Sequence, residues 1–243
     1  MLFTRLVDAA RARAAARLPS LCSVCHGWGV QRVCADCVQR FAPEVPRCRR
    51  CALQVGAGTS LCGACLTDPP PYARALAALD YGYPWDGLIA HFKFHAALDL
   101  APALAQRLVD TFRRSDAALP ALLLPVPLST ARLRERGYNQ AWELTHRLGR
   151  ALRCETDAHL LLRVKDTPHQ LALPPGQRAG NVRAAFAVEP RRRAELQGRS
   201  VTLVDDVMTT GATAAEAART LLRAGASEVG VWVVARTPRD GAA

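Results

Sequence analysis

Lysine is nearly missing from this 243-residue chain: Lys93 and Lys165 are the only two, yet the formal net charge is +11. Arginine therefore carries the positive charge, and a basic surface of that size implies anionic ligands such as phosphates or nucleic acid. Aromatic residues are scarce, at 6%, so any binding that relies on stacking bases has few platforms. No apolar run is long enough to span a bilayer, which excludes a membrane-spanning helix and implies no membrane insertion. Outside one short region the chain has a single cysteine, Cys154, which reads as a packed thiol. His169 has no partner at metal-ligand spacing. Half of the residues are hydrophobic, so the chain is globular rather than disordered.

The most informative stretch is Val201-Thr202-Leu203-Val204-Asp205-Asp206-Val207-Met208-Thr209-Thr210-Gly211-Ala212-Thr213. It starts as a short β-branched apolar run, which predicts a buried strand. Two adjacent acids follow, then a hydroxyl-rich turn, then a helix-forming segment from Ala214 to Arg223. Strand, turn and helix N-terminus together make an anion site, because backbone N–H groups and the helix dipole point at the ligand. Gly211 permits close backbone approach. Thr209, Thr210 and Thr213 supply hydroxyls. Asp205 and Asp206 would repel a bare phosphate; ribose hydroxyls or water around Mg2+ suit them.

Eight of the nine cysteines fall within 44 residues as four CxxC pairs: Cys22/Cys25, Cys34/Cys37, Cys48/Cys51 and Cys62/Cys65. Each pair can supply one edge of a Zn2+ tetrahedron. Disulfides would need an oxidising compartment, for which nothing here argues. Sequential pairing into two ribbons is favoured, and alternate pairing in a cross-brace stays open. Two zinc sites of four thiolates each would lower the net charge to about +7.

Four segments follow from composition. Residues 1–20 read as an amphipathic helix bearing Arg5, Arg11, Arg13 and Arg17, with a targeting peptide as the alternative. Residues 21–67 form the Cys-rich double ribbon, and residues 68–72, with Pro69, Pro70 and Pro71, form a stiff linker. Residues 73–238 alternate strands and helices: strands over Arg74–Tyr83, Ala121–Val126, Leu160–Val164 and Glu228–Ala235, helices over Trp85–Phe94, Leu98–Arg114 and Ala141–Leu152. That alternation predicts a mainly parallel α/β sheet with its ligand beyond the strands' carboxyl ends. Arg132, Arg134 and Arg136, spaced by two, do not share a helix face. They suit an extended or mobile loop, with Gly137 as pivot, that could close over phosphates. Lys93 alone would pass as a solvated side chain.

The central stretch resembles the phosphoribosyl pyrophosphate (PRPP) loop of type I phosphoribosyltransferases. Taken with the four CxxC pairs, Arg136-Gly137-Tyr138-Asn139-Gln140 and the series Thr167, Gln170, Arg178, Asn181 and Phe186, the order resembles the ComF family. The resemblance spans about Cys22 to Thr237. It implies a zinc-ribbon region before a phosphoribosyltransferase-like domain, with a cytoplasmic role in DNA uptake and a helicase of the uptake machinery as a partner. It also implies handling of single-stranded DNA, for which Arg47, Arg49 and Arg50 in the ribbon region are the expected contacts. It implies a PRPP site with Asp205 and Asp206 as the catalytic acids on the ribose. Val207, Met208, Thr209, Thr210, Gly211, Ala212 and Thr213 would form the phosphate loop, and Lys93, Arg132, Arg134 and Arg136 would meet the pyrophosphate. The cofactors implied are Zn2+ and Mg2+. A salvage or synthesis transferase and a non-catalytic PRPP sensor are the competing functions, and no segment identifies an acceptor.

Overall fold

The computed structural model describes residues 19–165 and 184–238. The expected N-terminal helix, and Thr167, His169, Gln170, Arg178 and Asn181, lie outside the described residues. Among the described residues no helix is long and apolar enough to cross a membrane.

The chain divides into two compact units between Pro43 and Glu44. In the first, β1 (Ser20–Leu21) pairs antiparallel with β2 (Trp28–Gly29), and α1 (Ala35–Phe41) follows. The turn between the strands is a knuckle: His26, at φ 59°, donates its N–H to the Cys22 carbonyl. The second unit repeats this local design. Ala52, at φ 58°, donates to the Cys48 carbonyl, and α2 (Gly63–Thr67) carries the last cysteine of the quartet. The second cysteine quartet and the three prolines thus lie in the same unit as the large sheet.

That sheet has four strands, β3 (Arg74–Asp80), β4 (Leu122–Pro125), β7 (Ser200–Met208) and β8 (Glu228–Arg236). They pair in the order β3-β8-β7-β4, all parallel, as the alternating pattern predicts. Between them in sequence come α3 (Trp85–Phe94), α4 (Ala101–Arg114), α5 (Thr130–Arg136), α6 (Gln140–Leu152) and α7 (Ala212–Arg223). A small antiparallel ribbon joins β5 (Leu161–Arg163) to β6 (Phe186–Val188).

Side chains alternate across a strand, so each face of the sheet has its own set. Ala75, Ala77, Leu122, Leu124, Val201, Leu203, Val231 and Val233 pack with Ala214, Ala217, Ala218 and Leu221 of α7 in one core cluster. On the other face Trp232 meets Phe112 of α4, with ring centroids 4.8 Å apart. Both faces are covered, and for that reason these strands read as continuous apolar runs.

One expectation needs correction. Arg132, Arg134 and Arg136 sit on helix α5, not on an extended loop. Ser129 Oγ accepts from the Arg132 N–H at 3.4 Å, which caps the start. Gly137, at φ 81°, ends it in the left-handed conformation and donates to the Leu133 carbonyl. Cap and stop residues at both ends outweigh the poor facial pattern. Gly137 therefore acts as a helix terminator. Arg47, Arg49 and Arg50, the expected DNA contacts, also join parts of their own unit. Arg47 pairs with Asp80 at 2.7 Å, Arg49 with Asp116 at 3.2 Å, and Arg50 donates to the Pro70 and Tyr72 carbonyls.

Candidate functional site

Strand β7 runs on past its apolar residues and carries both acids before it ends. Consecutive strand residues face opposite sides, so Asp205 and Asp206 leave the backbone in different directions. Asp206 is 2% exposed, and its Oδ2 lies 2.9 Å from Lys93 Nζ on α3. The contact is an ion pair. Asp205 is half-buried, and its Oδ1 accepts from the Asp206 N–H at 2.9 Å.

The two acids are driven apart electrostatically. Burial pushes Asp205 well above the ordinary 3.8, and the neighbouring Asp206 charge adds to the rise. Burial also pushes Asp206 upward, but the Lys93 charge and the hydrogen bonds from Asp205, Lys93 and the Val207 N–H together outweigh it, and the net shift is downward. Lys93 loses to burial and gains more from Asp206 and Asp205, so its pKa is raised. One carboxylate is thus ionised and compensated, while the other meets the cleft at an energetic cost when charged.

The loop beyond β7 turns at Gly211, at φ 82°, directly before α7. The positive φ favours glycine, and a Cβ there would press on Tyr72 Oη at 3.1 Å. Ala212 N–H is held by Thr210 Oγ1 at 3.3 Å, and α7 starts without a side-chain cap. Its positive dipole end opens on a cleft of about 220 Å3. That cleft is lined by Asp205, Asp206, Val207, Met208, Thr209, Thr210, Gly211, Ala212 and Thr213, together with Lys93, Arg132 and Arg136. On α5 the residues 132 and 136 fall one turn apart on one face. Arg134 lies between them in sequence, is exposed, and is absent from the lining. The Lys93 ammonium is engaged by Asp206 rather than standing out in the cleft.

The Arg136–Gln140 segment is built from distinct local roles. Arg136 stacks over Phe94 at 5.1 Å and donates to Gln140 Oε1. Tyr138 Oη donates to the Phe92 carbonyl. Asn139 caps α6, accepting from the Ala141 N–H at 2.9 Å, and its Nδ2 donates to the Val126 carbonyl. The cleft residues that sequence reasoning missed include Tyr81, Phe94, Gln140 and Arg163. The signal for Arg163 was an arginine closing the apolar run Leu160–Leu162.

Mg2+ fits this cleft only as a companion of a polyphosphate. Among the described residues, the two cysteine quartets are the only groups with three or more ligand atoms within 4.8 Å of one another. Asp205 and Asp206 are no cage of their own, but Mg2+ keeps waters and takes one or two carboxylates plus substrate phosphates. An added cation would also relieve the cost of ionising Asp205.

The cysteines form Cys22/Cys25/Cys34/Cys37 and Cys48/Cys51/Cys62/Cys65, the sequential arrangement. A tetrahedron with Zn–S near 2.3 Å puts sulfurs about 3.8 Å apart. Cys25 and Cys34 Sγ are 3.7 Å apart, and Cys51 and Cys62 Sγ 3.6 Å. None forms a disulfide. The N–H groups of Val24 and Cys34 lie 3.5 and 3.4 Å from Cys22 Sγ, which favours its thiolate. The donor set therefore fits zinc. Cys154 is half-buried, 3.1 Å from the Pro120 carbonyl.

Comparison with known proteins agrees with this architecture. Residues 96–242 match the phosphoribosyl transferase domain family. The chain is 36% identical over 230 residues to the DNA utilization protein YhgH of Salmonella typhi, covering 90% of this chain and 98% of that protein. The namesake from Escherichia coli K12 is 35% identical over the same length and coverage. Competence protein F of Haemophilus influenzae is 34% identical over 208 residues, covering 84% of this chain and 90% of that one.

Two measurements follow. Metal analysis of the purified chain gives two zinc equivalents, and Cys34→Ser reduces this to one; a wild-type value of one or none contradicts the geometry. The acids should separate in stability. Asp206, with its pKa depressed, contributes stability that is present above 3.8 and lost as pH falls through the folded value. Asp205, with its pKa raised, costs stability while ionised, and that cost fades as pH falls through a value above 3.8. In urea melts at neutral pH, Asp206→Asn strands Lys93 and destabilises toward the lower end of about 3–5 kcal/mol. Asp205→Asn is neutral or stabilising. Equal destabilisation by the two substitutions contradicts this division.

Proposed function

The chain belongs to the ComF family, and from that premise we propose that it binds PRPP with Mg2+ in the cleft at the carboxyl end of β7 and acts in DNA uptake. One observation carries the sugar-phosphate reading: an acid pair, a glycine-bearing hydroxyl loop, an uncapped helix start and two arginines converge on one cleft. Each part has a counterpart in PRPP. The Thr209–Thr213 loop and the start of α7 suit the 5-phosphate, with hydroxyl and N–H donors and a favourable dipole. Asp205 and Asp206 suit the vicinal ribose hydroxyls. Arg132 and Arg136 suit the pyrophosphate, and as positioned cations they would stabilise charge developing there as it leaves. Bound Mg2+ would supply further charge neutralisation on the pyrophosphate.

The acids' unequal states have a purpose in this reading. Asp206 is fixed by Lys93 and keeps its neighbour in place through the Asp206 N–H to Asp205 Oδ1 bond. Asp205 is the carboxylate that gains most from a hydroxyl donor or a nearby cation. Chemistry at the anomeric carbon would need an acceptor, and the cleft residues do not identify one.

The relatives' printed names, DNA utilization protein and Competence protein F, support a role in uptake and use of DNA. The finer proposal is that this chain handles incoming single strands in the cytoplasm. Of the three expected arginines, Arg49 is exposed, while Arg47 and Arg50 are held more closely by their own unit. Trp28 on β2 is 78% exposed, which makes it a stacking platform in the first cysteine unit.

Calorimetry with PRPP tests the first part. Binding requires Mg2+, and Asp205→Asn with Asp206→Asn weakens it tenfold or more per residue, since a hydrogen bond to a charged group contributes about 1.5–3 kcal/mol. An unchanged affinity in the double variant defeats the assignment. Fluorescence anisotropy with labelled strands tests the second. Single strands bind more tightly than duplex, affinity falls steeply with salt, and Trp28→Ala costs about fivefold or more at the low end of base stacking. Equal, weak binding to both forms counts against strand handling.

A further inference from the structure

Arg236 ends β8 and is 5% exposed. A buried guanidinium needs its donors satisfied, because leaving charged N–H groups unpaired in the interior is costly. Its partners include backbone carbonyls on two different structures. Nε donates to the Cys51 carbonyl at 2.9 Å. Nη1 donates to the Met208 carbonyl at 2.9 Å, to the Thr237 carbonyl at 3.0 Å, and to the Thr209 carbonyl. Cys51 is a member of the second cysteine quartet; Met208 ends β7, and Thr209 opens the loop that lines the cleft. One planar fork therefore holds a metal-ligand turn and the root of the ligand loop together.

A second side chain runs the same way. Tyr72 is 2% exposed. Its carbonyl accepts from Arg50 Nη1 at 3.2 Å, beside the quartet, and its Oη is 3.8 Å from Met208 Sδ. The same oxygen would lie 3.1 Å from a Cβ at Gly211. All these residues belong to the second compact unit, whereas the Cys22/Cys25/Cys34/Cys37 group belongs to the first.

We infer that Arg236 is a positioning residue that couples occupancy of the Cys48/Cys51/Cys62/Cys65 site to the order of the Met208–Thr213 loop. The physical basis is directional. With metal held, the Cys51 turn is fixed and offers its carbonyl to Nε. Zinc bound by four thiolates also carries a formal −2, which offsets the buried guanidinium charge. Without metal the turn loosens, Arg236 loses one anchor, and the Met208 and Thr209 carbonyls lose a shared donor. Lysine keeps the charge but presents a single ammonium, which cannot span carbonyls on both structures. The inference deepens the PRPP reading and rests on it only for its effect on affinity.

The test uses the full, zinc-loaded chain. Hydrogen exchange is followed at the amides of residues 207–213, together with zinc content and PRPP affinity. Cys62→Ser and Arg236→Lys raise loop exchange by about tenfold or more, as expected when one cooperative contact is lost. Arg236→Lys retains both zinc equivalents, a readout that general unfolding would not leave intact. Cys25→Ser, in the other unit, leaves loop exchange at the wild-type rate. By linkage, affinity for PRPP falls by a similar factor in Cys62→Ser and Arg236→Lys. If Arg236→Lys does not accumulate as folded protein, the contrast between Cys62→Ser and Cys25→Ser decides the matter. Loop exchange that ignores Cys62→Ser, or responds equally to Cys25→Ser, overturns the coupling. A loop that responds as stated in a chain that never binds PRPP upholds the coupling and removes the PRPP reading.

Discussion

Two adjacent carboxylates at the end of a buried strand are the constraint around which this structure is arranged. Next to each other in a protein interior, they cannot both ionise without compensation. Lys93 supplies it for Asp206 at 2.9 Å, and α3 is held where it can do so. Tyr138 ties that helix to the chain beyond α5 by donating to the Phe92 carbonyl. Asp205 is left with a raised pKa facing the cleft. The strain of the pair is thus concentrated on the residue that meets a ligand, a usual sign of a functional site.

The second constraint is the loop's support. A Cβ at Gly211 would crowd Tyr72 Oη, and the Met208 and Thr209 carbonyls at the root of the loop accept from Arg236. Loops carry function where a rigid scaffold positions them. Here the scaffold includes a cysteine quartet as well as the sheet. The second quartet lies in the same compact unit as the sheet, and its arginines bind that unit internally.

Legibility in the sequence followed how local the determining physics was. The strand, turn and helix of Val201–Thr213 were legible because apolar run, hydroxyls, glycine and helix formers sit side by side. The parallel sheet followed from alternation of strand and helix signals, and the cysteine quartets from CxxC spacing. Helix α5 departs from the facial pattern of its arginines because Ser129 and Gly137 decide its ends. The roles of Lys93, Arg236 and Arg47 were not legible at all. Each partners a residue far along the chain, and a lone basic side chain gives no sign of which distant group it will meet. The strand expected over Glu228–Ala235 stopped one residue short of Arg236, where an apolar run closing on an arginine was the available clue.

The claim that Asp205 is held in readiness for a sugar phosphate with its cation can be tested at that one carboxyl group. Carbon-13 NMR of the Asp205 side chain, assigned with Asp205→Asn, gives its titration in the free chain and with PRPP and Mg2+. The account predicts a free pKa above 3.8 that drops when the ligand and metal bind, while Asp206 stays below 3.8 in both. A titration of Asp205 that is ordinary in the free chain, or unmoved by saturating PRPP and Mg2+, would contradict it.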